Sequence, residues 1–183
     1  MLESIIILVG EINSGKSSTL RTLAEMYLGK PKGVNQRFFD YKGKGICIFP
    51  SSPQENSDNA FCHADEVIKD VEHRIMESNS RNCSLLVTTF TLKGSWKAHK
   101  LLNEGCIEGP IRELSSKFKV HIVYLRKDGE RKSPKTPRQR AHAKQIKELM
   151  ARLKPYEIES RQGTREEERQ AGALWEFILK IDP

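Results

Sequence analysis

The sequence predicts an α/β fold, a three-layer αβα sandwich around a mainly parallel sheet. Three observations predict it. Short apolar, β-branched runs recur at residues 5–9, 84–91 and 120–125. Stretches with helical spacing of apolar residues lie between them. Glycine, proline and polar clusters separate the two kinds of segment. Alternation of this kind places helices on both faces of a parallel sheet.

Taken in order, Ile5-Ile6-Ile7-Leu8-Val9 reads as a strand buried on both faces. Residues 17–28 read as a helix with Leu20, Leu23, Ala24 and Tyr27 on one face and Gly29 at its end. Residues 37–41 and 45–49 flank Lys42-Gly43-Lys44 and read as a hairpin. Pro50-Ser51-Ser52-Pro53 ends its second strand. A helix is expected over 64–76, buried through Val67, Ile68, Val71 and Ile75. Residues 97–118 read as mostly helical, with a break or kink at Gly105, Gly109 and Pro110. After the strand at 120–125, Thr136 and Pro137 read as the N-cap and first residue of a helix. That helix is buried through Ile146, Leu149, Met150 and Leu153, with Pro155 past its end. A short strand at 156–160 and a helix at 166–181 complete the chain, with Trp175 in the core.

The chain has 183 residues, 37% hydrophobic and 30% charged, which fits one globular domain over 1–183. No apolar run is long enough to cross a bilayer, and Glu3 stands where a signal peptide would be basic. A cytoplasmic, non-membrane protein is expected. The four cysteines form no CxxC pair; Cys47 and Cys83 lie in apolar runs, and Cys62-His63 lacks a second half for a metal site. The five histidines form no nucleophile–base pattern.

The chemistry sits at the start. Gly10-Glu11-Ile12-Asn13-Ser14-Gly15-Lys16-Ser17 matches G-x-x-x-x-G-K-[ST], after a strand and before a helix. The glycines let the backbone curl round an anion. The curled N–H groups, with those of the first helical turn through Ser18, form a nest for phosphate oxygens. Lys16 supplies a point charge for the β- and γ-phosphates, and Ser17 a hydroxyl for Mg²⁺.

On these residues the chain resembles the P-loop NTPase superfamily. The resemblance implies a P-loop NTPase fold and binding of a nucleoside triphosphate with Mg²⁺. It names no reaction. P-loop enzymes also carry an acid at the end of a core strand. The strand at 84–90 ends instead in Thr88-Thr89-Phe90-Thr91, so Glu55 and Asp58 are the nearest carboxylates after a strand. A GTPase-like reading keeps only Gln54-Glu55 of the switch segment, and Arg126-Lys127-Asp128-Gly129 lacks the asparagine of Asn-Lys-x-Asp. A kinase-like reading takes the basic, proline-containing segment 127–140 as a lid. The chain is also similar to small microbial ATP-binding proteins with an opening P-loop and a Lys-Gly-Lys hairpin turn. That likeness implies no substrate; the lid-like segment and the missing Asn-Lys-x-Asp place ATP ahead of GTP.

Three functions compete. An ATPase or small-molecule kinase would use Lys16, Glu55, Arg138 and Arg140 as catalytic residues. A nucleotide-dependent switch without turnover, GTPase-like in outline, would instead present a surface to a partner. A nucleic-acid-associated ATPase is the third. Net charge is +7, and residues 127–147 concentrate Lys127, Arg131, Lys132, Lys135, Arg138, Arg140, Lys144 and Lys147. That segment suits an acidic or nucleic-acid partner, nucleotide phosphates, or water alone. Trp96 reads as packing or as an aromatic wall for a base.

Overall fold

The computed structural model describes residues 1–11, 14–32, 34–52, 64–92, 105–126, 136–159 and 165–181, except the side chains of 105, 106, 138 and 139. Six strands and five helices alternate along them. They are β1 (Ser4–Glu11), α1 (Lys16–Tyr27), β2 (Phe38–Tyr41), β3 (Lys44–Phe49), α2 (Ala64–Ser80) and β4 (Cys83–Leu92). Then come α3 (Gly105–Ser115), β5 (Lys119–Arg126), α4 (Pro137–Leu153), β6 (Tyr156–Glu159) and α5 (Glu166–Ile181). The strands form one sheet in the order β2-β3-β4-β1-β5-β6, antiparallel only between β2 and β3.

The period of β1 divides the core in two. Ile5, Ile7 and Val9 point to a layer containing α2, α3 and α4, through residues such as Val71, Ile111 and Leu149. Ile6 and Leu8 point to the opposite layer, where α1 and α5 pack through Leu20, Leu23, Leu174, Trp175 and Ile178. Residues 5–9 are all fully buried, each side chain contributing about 1.5–3 kcal/mol of apolar transfer. Trp175 is stacked on Tyr27 and meets Tyr41 edge-on, locking the hairpin to α1 and α5.

Three local features differ from the sequence expectation. Tyr41 pairs with Lys44, so the hairpin turn is Lys42-Gly43 alone, with φ of 53° and 80°, as a type I′ turn needs. Helix α2 runs on to Ser80, since no breaker stands before Asn82. Helix α3 continues through Gly109 and Pro110. Near an amino end, proline costs one intrahelical bond, and burial of Ile107, Ile111 and Leu114 outweighs it. By contrast α4 begins at Pro137, with the Arg140 N–H donating to the Thr136 carbonyl, and α5 spans the expected residues. Among the described residues no helix is long and apolar enough to cross a membrane.

The order of the strands positions the site. The chain leaves β1 toward β3 and returns to β4, then crosses to β5 on the other side of β1. Such a reversal opens a crevice at the carboxyl ends of the central strands. The turn from β1 into α1 lies there, between the carboxyl ends of β4 and β5.

Candidate functional site

Gly15 carries a φ of 86° and stands as the N-cap of α1, a conformation that an L side chain resists. A Cβ on Gly10 would lie 2.6 Å from Ser14 Oγ and 3.0 Å from the Leu125 carbonyl oxygen, so only glycine fits there. Both glycines of the motif are thus required by the shape of the loop. The Ser14 N–H donates to the Glu11 carbonyl at 3.2 Å, and the Thr19 N–H to Gly15 at 2.8 Å. Ile12 and Asn13 lie outside the described residues.

Lys16 is 4% exposed. Its ammonium donates to the Glu11 carbonyl at 2.8 Å, the Gly10 carbonyl at 3.2 Å and Ser14 Oγ at 3.5 Å. A charged amine is thereby held inside the curl of the loop, at the positive end of α1, whose first turn carries no acid. That combination suits an anion. The Ser17 hydroxyl donates to the Pro50 carbonyl at 2.8 Å, joining the start of α1 to the end of β3, while Ser18 is half-buried beside it.

Two further helices brace this turn. From α5, the buried Gln170 accepts the Thr19 hydroxyl at 2.8 Å and donates to Glu166 at 2.8 Å. From α4, His142 Nδ1 lies 3.6 Å from Glu11 Oε1. The first turns of α4 therefore stand beside the loop. Arg140 is exposed in that turn. Arg138 belongs to the same turn by its backbone. Neither is brought to Lys16 by a described contact. Glu55, Asp58, Trp96 and Cys62-His63 lie outside the described residues, as do 127–135.

The end of β4 is unusual in what it buries. Thr88, Thr89 and Thr91 are at most 2% exposed, and Phe90 and Thr91 pair with Val9 and Gly10. The Thr89 hydroxyl donates to the Pro50 carbonyl at 3.3 Å. Arg74 of α2, 3% exposed, packs over Phe49 and pairs through Nε with Asp70. Its Nη1 donates to the Ser51 carbonyl at 2.8 Å and to Thr88 Oγ1 at 2.6 Å. Burial lowers the Arg74 pKa from its ordinary value, and the Asp70 carboxylate opposes the shift. Asp70 is thus committed to Arg74, and no described residue of the β4 carboxyl end is acidic.

Sequence reading missed Arg74 and Gln170. The signal was present. Val67, Val71, Arg74 and Ser78 form one helical stripe, and Gln170 shares a stripe with Leu174. A polar residue on such a stripe must find buried partners.

No family model matches the sequence, and no curated protein matches it. Among solved structures the chain is similar to a shikimate kinase from Acinetobacter baumannii in complex with shikimate, at 18% identity over 100% of this chain and 96% of that one, TM-score 0.48. It is similar to the thymidylate kinase from Candida albicans, at 14% identity over 98% and 92%, TM-score 0.47. A third is described as a probable GTP-binding protein engB, at 17% identity over 96% and 99%, TM-score 0.43. Likenesses at this level fix neither a substrate nor a reaction.

Proposed function

We propose that this chain, which has a P-loop NTPase fold, binds a Mg²⁺–nucleoside triphosphate, ATP ahead of GTP, and transfers or slowly hydrolyses its terminal phosphoryl group. One observation carries the reading. The described residues of the motif, Gly10, Glu11 and Ser14 to Ser17, join β1 to α1 with a buried ammonium held by the loop carbonyls and a helix N-terminus beside it. The backbone of Gly10, Glu11, Ile12, Asn13, Ser14, Gly15 and Ser18 forms the phosphate nest. Lys16 exchanges the Gly10 and Glu11 carbonyls for phosphate oxygens. The donor set fits Mg²⁺ through the Ser17 hydroxyl, an oxygen ligand at the lip of the nest. Bound there, Mg²⁺ would neutralise charge developing on the phosphoryl oxygens.

ATP is favoured because β5 ends at Arg126 and is followed in sequence by Lys127-Asp128-Gly129, without the asparagine that reads guanine. Arg138 and Arg140 are assigned to a basic lid, supported by the approach of α4 to the loop at His142 and Glu11. Glu55 remains the proposed acid from the segment after β3. A switch without turnover is the second reading, favoured by the acid-free end of β4. Exposed Arg140, Lys144 and Lys147 on α4 give either version a basic face for an acidic or nucleic-acid partner.

Competition titration with Mg²⁺ present, followed by a phosphate-release assay, tests the reading. ATP should bind at least as well as GTP, and phosphate should be released above background. GTP bound a hundredfold tighter would contradict the ATP assignment. Binding without release would leave the switch in place of the enzyme.

A further inference from the structure

We propose that the Pro50 main-chain carbonyl, held by Thr89 and braced by Arg74, orients the Ser17 hydroxyl for Mg²⁺, where other P-loop sites use a strand-end carboxylate. The inference rests on the Mg²⁺–triphosphate reading and adds the group that presents the metal ligand.

The Pro50 oxygen receives two hydroxyl protons, from Ser17 at 2.8 Å and Thr89 at 3.3 Å. A serine hydroxyl has one proton and two lone pairs. With its proton given to Pro50, Ser17 Oγ has only lone pairs left for another partner, which is what a cation requires. The next carbonyl, Ser51, is fixed by Arg74 Nη1 at 2.8 Å. The same nitrogen binds Thr88 Oγ1 at 2.6 Å, and Nε pairs with Asp70. Arg74 thus clamps the peptide after β3 onto the end of β4, and Thr89 and Ser17 converge on the carbonyl that results. Arg74 and Thr89 are positioning residues here, acting on the metal through Pro50 and Ser17. The arrangement accounts for hydroxyls, instead of an acid, at the β4 end beside the loop.

The test uses Mn²⁺ in place of Mg²⁺. Electron paramagnetic resonance reads free Mn²⁺ over the protein–ATP complex, and calorimetry in EDTA gives the affinity for ATP without metal. Thr89→Val should weaken Mn²⁺ retention by roughly three- to tenfold, the loss of one neutral hydrogen bond, while metal-free ATP affinity stays constant. Thr89→Ser should restore retention, and Arg74→Lys, which keeps the charge but not the fork, should lower it. Ser17→Ala should lose retention most. Wild-type retention in Thr89→Val together with loss in Ser17→Ala overturns the proposal. So does unchanged retention in Ser17→Ala. Failure of the wild-type protein to bind ATP with or without metal overturns the nucleotide reading beneath it, a distinct result.

Discussion

Strands β1 and β4 lie side by side, both parallel and both buried, yet they are built differently. Residues 5–9 of β1 are apolar throughout, and the strand gives way at once to the turn that begins at Gly10. β4 begins in the same manner with Leu85, Leu86 and Val87, then buries Thr88, Thr89 and Thr91 at its carboxyl end. A buried hydroxyl costs about 1–3 kcal/mol unless bonded, and Thr88 and Thr89 are bonded to Arg74 and Pro50. Stability therefore resides in the middle of the sheet. One end is given over to polar groups that hold loops in place. Apolar burial tolerates many solutions. A convergent set of hydroxyls and carbonyls at one strand end tolerates few.

The contrast can be broken by mutation. Leu8→Ala should cost about 2–5 kcal/mol of stability by opening a cavity, with little change in nucleotide affinity once folded. Chemical denaturation of the variant, beside titration at low temperature, checks both halves. Thr88→Val should cost less, about 1–3 kcal/mol, by taking one acceptor from Arg74. Its distinguishing mark should be reduced metal-dependent nucleotide binding, which Leu8→Ala would not show. If both variants lower stability alone, the carboxyl end of β4 does not differ in kind from the apolar middle of β1.

Smaller effects sharpen the picture. Hydrogen exchange at 127–140 should slow when Mg²⁺–ATP is added, if that segment closes over the phosphates. Protection by DNA or RNA instead would assign it to nucleic acid. Within β3, burial pushes the Cys47 thiol up to about 12. Native protein at pH 8.5 should leave Cys47 unalkylated by iodoacetamide, while denatured protein reacts. The unfolded thiol ionises near 9.0 and the folded one near 12, so Cys47's contribution to stability should fall between those values as pH rises.

Much of this was legible in the chain. Ile5-Ile6-Ile7-Leu8-Val9 declared a central strand by being apolar and β-branched, and Thr136-Pro137 declared the start of α4 by its capping chemistry. The G-x-x-x-x-G-K-[ST] motif declared itself because its glycines, lysine and serine fall within eight consecutive residues. The Ser17–Pro50 contact was not legible, because a main-chain carbonyl has no side-chain signature. Strand order was hidden for a similar reason. That β4 pairs with β1 while β3 lies one strand further out depends on packing between distant segments. Arg74 and Gln170 were overlooked because apolar residues dominate their stripes, although a polar residue there is itself a signal.

The most direct measurement is calorimetric titration of Mg²⁺–ATP into the wild-type protein and Lys16→Ala, with the melting temperature of each recorded. Lys16 is held by the Gly10 and Glu11 carbonyls and Ser14 Oγ of its own loop, and the fold should survive its loss. Removal of one charge-assisted phosphate contact should weaken binding by about 2–3 kcal/mol. Unchanged affinity for both ATP and GTP in Lys16→Ala would contradict the assignment of residues 10–18 as a phosphate-binding loop.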